Sequence, residues 1–251
     1  MMDWLPFDLV TWMACAAIVG GAYVIFGITA FGAAMFTVPA LTYFFPLAFV
    51  LPMCVILDVS AAFALGSRFS KEADRGELKW MAPCSLVGAI AGVTALVTIP
   101  QQVTIAAFGV FLFGYGLYSL LSGAPRVGIA RHPWAVISGF CGGAAGTMFG
   151  VGAPPYAVYL SRRLTDKQVL RATLSNMVLL STSIRALVFL AGGLILWDRV
   201  IGALLLMPFA LGGIWAGHHI QLSASRETLL KIIGVLLLLI GGSLIIRVLR
   251  A

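Results

Sequence analysis

Two charged side chains interrupt long apolar runs: Asp58 stands near the middle of residues 47–65, and Arg185 stands towards the end of residues 168–190. At bilayer depth an acidic group costs about 2.5–3.5 kcal/mol to insert, so Asp58 has to be protonated or paired. Its chemistry is then one of two kinds, a carboxylate that takes up and releases coupling protons, or a structural partner for an arginine at a helix end. Arg185 offers a planar fork of donors that suits an oxyanion, and it is also near enough to its helix end to snorkel into the interface. Asn176 lies about 12 Å along the same run, where it either lines a site or bonds a neighbouring helix. Arg171, nearer the rim, is placed to gather anions at an entrance or to anchor the helix among headgroups.

A second chemistry belongs to the backbone. Residues 146–160, GTMFGVGAPPYAVYL, and 27–41, GITAFGAAMFTVPAL, break apolar runs with glycine, small residues and proline, which do not sustain a regular helix. Irregular backbone at membrane depth persists only where it is buried in protein or lines a cavity. Breaks at corresponding places in two halves of a membrane chain point to a substrate site. Short helices starting at Ala33 and Pro154 would present free amide N–H groups and about half a unit of positive charge to a small anion. Gly32, Gly150 and Gly152 would let backbone approach the ion, with Ala33, Ala34 and Ala153 at the same ends and Thr29, Thr37 and Tyr156 as hydroxyl donors. Packing is the plainer alternative for each of them. Pro154 and Pro155 suit a helix start, but they also remove donors from the cradle.

The rest of the chain has to hold these groups in lipid. Of 251 residues, 61% are hydrophobic and 10% charged, with a mean hydropathy of +1.04, against roughly 45–50% and about 25% in soluble domains. An all-α polytopic membrane protein is expected. The first apolar run has no lysine or arginine ahead of it and no small-residue cleavage site, and reads as a retained helix. The net charge of +7 fits basic loops on one membrane face and not a nucleic-acid partner. Cys15, Cys54, Cys84 and Cys141 lie in apolar segments without metal-like spacing. With no nucleotide-binding loop, paired catalytic carboxylates or nucleophile elbow, no cofactor or metal is expected and ion or substrate gradients must supply the energy. An enzyme within the membrane would need a reactive cluster at one depth, and only Asp58, Asn176 and scattered hydroxyls are offered. A passive anion channel is an alternative that the breaks also permit.

Eight runs approach a spanning length of about 20 residues: 9–26, 47–65, 80–99, 103–121, 134–149, 168–190, 200–220 and 228–249. Two more, 33–45 and 154–160, reach only about 20 Å and about 10 Å as helix, against a hydrocarbon core of about 30 Å. The chain is also duplicated. Pro83, Leu86, Gly88, Ala91 and Gly92 recur at one constant offset as Pro208, Leu211, Gly213, Ala216 and Gly217, and so do Gly109 and Gly116 as Gly234 and Gly241. Near the breaks Gly32, Ala33 and Val38 match Gly152, Ala153 and Val158 at a slightly smaller offset. This divides the chain into a repeat over 1–122, a central loop over 123–133 and a repeat over 134–251. Five segments per half put the basic loops around Arg68–Lys79, Arg126–Arg131, Arg162–Arg171 and Arg226–Lys231 on one face, leaving Arg199, Arg247 and Arg250 opposite. That bias favours inverted repeats. Gly88-x-x-x-Gly92 and Gly213-x-x-x-Gly217 allow close helix packing, within one chain or in a dimer.

The segments FGITAFGAAMFTVPAL and FCGGAAGTMFGVGAPPYAVYL resemble the paired glycine-rich signatures of the TauE/SafE (TSUP) family, and Arg171-Ala172-Thr173 and the basic loop ending Arg75-Gly-Glu-Leu-Lys-Trp80 are similar to features at the same places in that family. The first signature often has three glycines where this chain has Gly32-Ala33-Ala34, and the second here reads Gly152-Ala153-Pro154-Pro155. The resemblance spans essentially the whole chain. It implies a multi-pass carrier of the bacterial inner (plasma) membrane that exports sulfite or organosulfonates, or in some members other small anions; protons as a coupling ion are an expectation from Asp58 alone.

Overall fold

The structure, a computed structural model, describes residues 8–29, 32–64, 71–121, 132–219 and 226–249. The described residues form ten helices and no strand: α1 (Leu9–Thr29), α2 (Ala33–Leu41), α3 (Leu47–Ala64), α4 (Arg75–Thr98), α5 (Gln101–Leu121), α6 (Pro133–Phe149), α7 (Ala153–Arg163), α8 (Lys167–Ala191), α9 (Trp197–His219) and α10 (Arg226–Leu249). Eight are long, and α2 and α7 are short, at 9 and 11 residues. Among the described residues α1, α4, α5, α8 and α9 are long and apolar enough to cross a membrane, and the chain is a polytopic membrane protein.

Local chemistry sets the helix bounds. Asp74 and Asp166 cap α4 and α8, so that α4 starts at Arg75, several residues before its apolar run, and α8 at Lys167, next to the start of its run. Each carboxylate accepts from two amides of its first turn, Gly76 and Glu77 in one case, Gln168 and Val169 in the other, and satisfies donors that a helix start otherwise leaves open. For α4, hydropathy alone places the start at Trp80 and misses the polar turn beneath. α7 likewise begins at Ala153 and runs to Arg163, past the apolar stretch 154–160, and α2 gives way to a turn after Leu41.

The two breaks are real interruptions. α6 ends on Gly150 at φ 76°, where the Val151 N–H turns back to the Ala145 carbonyl, and α2 begins after Gly32 at φ 92°. Both angles are in the left-handed region that glycine enters without a Cβ penalty. Beyond Gly150, Pro154 and Pro155 occupy the first turn of α7, where an absent N–H breaks no helical bond.

The most extensive packing is between α4 and α6, α5 and α10, and α1 and α9. Shifting each helix number by five, cyclically, turns the first pair into the third and returns the second to itself. Glycine makes each approach close. A Cβ on Gly88 would meet the Phe140 carbonyl oxygen at 2.1 Å, and one on Gly217 would meet that of Val24 at 2.2 Å, so both Gly-x-x-x-Gly pairs are consumed in packing within the chain. α4 and α6 run in the same direction, with Met81 and Ser85 opposite Gly139 and Gly143. α5 and α10 run in opposite directions, because Gly109 faces Gly241 while Gly116 faces Gly234.

Candidate functional site

The two breaks meet. Gly150 lies against α2, where an added Cβ would be 3.2 Å from Ala34 and 3.1 Å from Val38. On its other side the second break touches α8. Gly146 and Gly152 lie beside each other, and Ser181 is next to both.

α8 presents a polar stripe to this place, with Thr173, Asn176, Ser181 and Arg185 all buried on one face at helical spacing. Arg185 is 5% exposed. One of its terminal nitrogens donates to the Gly146 carbonyl oxygen at 3.1 Å, in the last turn before the break. The other donates to Asp58 Oδ2 on α3 at 2.6 Å, forming an ion pair. The second Asp58 oxygen accepts from the Tyr23 hydroxyl on α1 at 2.8 Å. Asp58 is therefore paired, and Arg185 reaches inward to it and not outward to the headgroups. The Arg185 Nε is buried and has no hydrogen-bond partner, and neither has the buried hydroxyl of Thr37 on α2. Such atoms are rare, because an unsatisfied buried donor costs about 1–3 kcal/mol.

Tyr156, fully buried on α7, crosses to α4 and α8: its hydroxyl lies 2.8 Å from that of Ser85 and 3.0 Å from that of Ser181. Its ring fills the space over Gly142 on α6, where a Cβ would come within 2.1 Å of it. Ser138 donates to the Pro155 carbonyl oxygen at 2.9 Å, bonding a backbone acceptor in the first turn of α7.

Of the residues singled out in the sequence, Gly150 meets Ala34 directly, Gly152, Tyr156 and Arg185 gather around Gly146 and Ser181, and Asp58 joins them through Arg185. Gly32, Ala33 and Thr37 belong to the first short helix, Ala153 opens the second, and Asn176 is buried on α8. Arg171 is exposed on the first turns of α8, about 21 Å along the helix from Arg185, and stays outside the cluster. The side chains of Thr29, Arg226 and Lys231, and residues Arg68, Arg126, Arg131 and Arg250, lie outside the described residues. Among the described residues no three His, Cys, Asp or Glu side chains gather as metal ligands, and all four cysteines are free.

Sequence reasoning missed Tyr23, Ser85 and Ser181, and a second cluster at the far end of α7. There Glu77 of α4, 3% exposed, accepts from the Tyr159 hydroxyl at 2.6 Å and from Arg163 Nε at 2.8 Å. His132 stands 3.1 Å from Arg163, and the Asp74 amide donates to Thr173 of α8 at 2.9 Å. A usable signal existed for Ser181, four residues before Arg185 and so on the same helix face. None existed for Tyr23 and Ser85, whose partners are remote in sequence.

The family model described as "Sulfite exporter TauE/SafE" matches residues 13–244. No curated protein and no solved structure matches the chain. With both breaks, the Asp58–Arg185 pair and all ten helices falling within or overlapping that match, the chain belongs to the TauE/SafE family of membrane transporters.

Proposed function

We propose that the protein is a secondary transporter that exports a small anion, sulfite or an organosulfonate, across the inner membrane by alternating access around the paired breaks. Arg185 carries this reading. It is a guanidinium buried beside broken backbone, with an Nε that lacks a partner. An oxyanion accepting from that nitrogen would satisfy it, as it would the Thr37 hydroxyl on the first short helix. The helix starts at Ala33–Ala34 and Gly152–Ala153 add amide donors and their dipole, Tyr156 and Asn176 add polar lining, and Arg171 collects anions at the rim.

Asp58 and the incoming anion compete for one guanidinium. When the anion takes Arg185, Asp58 keeps Tyr23 alone, and in a low-dielectric interior the neutral carboxyl is then the cheaper form. Anion binding thus draws in a proton, and Asp58 becomes the coupling group. Residues 1–122 and 134–251 are inverted repeats around the linker 123–133 in this scheme. The recurrence of packing under a shift of five helices supports it, as does the opposed direction of α5 and α10.

Counterflow in proteoliposomes tests the carrier. Vesicles loaded with unlabelled sulfite should transiently accumulate labelled sulfite, and a passive channel gives no such overshoot. Asp58→Asn should keep exchange and lose accumulation driven by a pH gradient; unchanged pH dependence would remove Asp58 from coupling while leaving the carrier intact.

A further inference from the structure

A cleft of about 620 Å³ opens between α5, α6 and α7, within the range of about 300–1,000 Å³ that holds small molecules. Phe111, Gly114, Ile137 and Val158 are among its walls, and Tyr118, Trp134 and Arg162 stand at one end. That end is at headgroup depth, since Tyr118 is in the last turn of α5, Trp134 in the first of α6, and Arg162 in the last of α7. The cleft opens towards lipid. Val110, Leu117, Trp134 and Ile137 around it are exposed apolar residues, and α5 is one of the helices long and apolar enough to span.

Charge at the mouth separates this cleft from an ordinary seam between helices. Arg162 is exposed and donates to the Tyr118 hydroxyl at 3.3 Å, and no described carboxylate lies within ion-pair distance of it. Its neighbour Arg163 is neutralised by Glu77. At the place related by the shift of five helices, between α10 and the end of α2, the cation is used up internally: Arg247 lies 4.6 Å over the Tyr43 ring and donates to the Thr42 carbonyl oxygen. At one of two related places the cation is therefore held by a ring and a carbonyl, and at the other Arg162 stands at the lip of an open cleft with a single hydroxyl partner and no described carboxylate.

We infer that an anionic phospholipid occupies the open seam, its phosphate on Arg162 beside the Tyr118 hydroxyl and one acyl chain in the apolar cleft behind α7. The apolar walls select an anion that carries a chain, because a free oxyanion gains nothing from them. Bound there, the chain packs on the side of the short helix that carries Val158 and Tyr159, away from Tyr156. The inference needs the chain to be membrane-embedded, and it does not depend on which anion is transported.

The test is native mass spectrometry of the detergent-solubilised protein with equal amounts of dioleoylphosphatidylglycerol and dioleoylphosphatidylcholine. Wild type should retain the glycerol lipid about fivefold better, the worth of one arginine at an anionic headgroup. Arg162→Gln should equalise the two lipids while still holding one of them. Gly114→Leu should lose both: a Cβ there meets nothing within 4 Å, so the new side chain enters the cleft without moving backbone. Unchanged melting of both variants confirms that they fold. Equal retention by wild type, an undiminished preference in Arg162→Gln, or displacement of the lipid by an equal amount of inorganic phosphate would each overturn the inference.

Discussion

α2 and α7 both begin beyond a left-handed glycine, Gly32 for one and Gly150 for the other, and both stop well short of a full span. They differ in what holds them. The break before α7 is braced by Arg185 on the Gly146 carbonyl, Tyr156 is tied to Ser85 and Ser181, and the far end is gripped by buried Glu77 through Tyr159 and Arg163. α2 has a buried hydroxyl without a partner, and its far end meets α10 through exposed Tyr43 and half-exposed Arg247. At the offset that relates Pro83 to Pro208, Glu77 corresponds to Gly202. The two short helices are thus fastened by different means, with buried charge around α7 and aromatic and backbone contacts around α2. Buried ionic bonds specify one geometry but gain little net stability, so the second short helix is expected to be the more fixed member of the pair, even though α2 buries seven of its nine residues and α7 four of its eleven.

The largest effect should come from taking the brace away. Arg185→Met leaves Asp58, whose side chain is 17% exposed, without its cation and the Gly146 carbonyl without its side-chain donor, a loss of up to about 3–5 kcal/mol to be read from unfolding in mixed micelles. Asp58→Asn added to that variant should restore most of the loss, because the stranded charge is gone; no rescue would show that the pair does not carry the strain. Glu77→Gln comes next. The amide keeps the shape but gives up the charge that Tyr159 and Arg163 are bonded to, for about 1.5–3 kcal/mol, and limited proteolysis should then cut first near residues 163–166.

The breaks were legible because glycine and proline punctuate apolar runs, and the eight long helices because lipid demands unbroken hydrophobicity. Asp58 and Arg185 were each conspicuous alone, but their union was not, since 127 residues separate them and only the packing of α3 against α8 joins them. Glu77 was hidden for a different reason. It lies in the polar stretch 67–79, which reads as a solvated loop, whereas the Asp74 cap draws it into the first turn of a helix and α7 buries it. Arg163 reads from sequence as one more basic residue of the loop Arg162–Arg171. A sequence displays the cost of each lone charge but not the partner that removes it.

The glycines can separate backbone strain from packing. At Gly152, φ is −88°, an ordinary value, yet a Cβ would lie 2.7 Å from the Gly142 carbonyl oxygen; Gly152→Ala should cost about 1–3 kcal/mol by overpacking. At Gly32 the nearest atom to an added Cβ is the Met35 sulfur at 3.7 Å, and only the φ of 92° resists substitution, so Gly32→Ala should cost about 1–2 kcal/mol. Asparagine tells the two apart. Gly32→Asn should recover part of the loss, since asparagine tolerates the left-handed region, and Gly152→Asn should be worse than alanine. The same response at both sites would mean that the two breaks are built alike.

The smallest effect is expected at the far end of α2. Arg247 over the Tyr43 ring is a cation–π contact at a partly exposed site, worth about 0.5–1 kcal/mol, and its bond to the Thr42 carbonyl oxygen does not involve the ring. Tyr43→Leu keeps apolar cover and removes the ring's negative face, so it should lower unfolding stability by no more than that amount and leave proteolysis near residues 42–46 barely faster. The comparison with Glu77→Gln decides the matter. If the two substitutions cost the same, α2 is held as firmly as α7 and the asymmetry is one of residue type alone. If Tyr43→Leu is several times milder, the first short helix is the one free to move against a fixed partner.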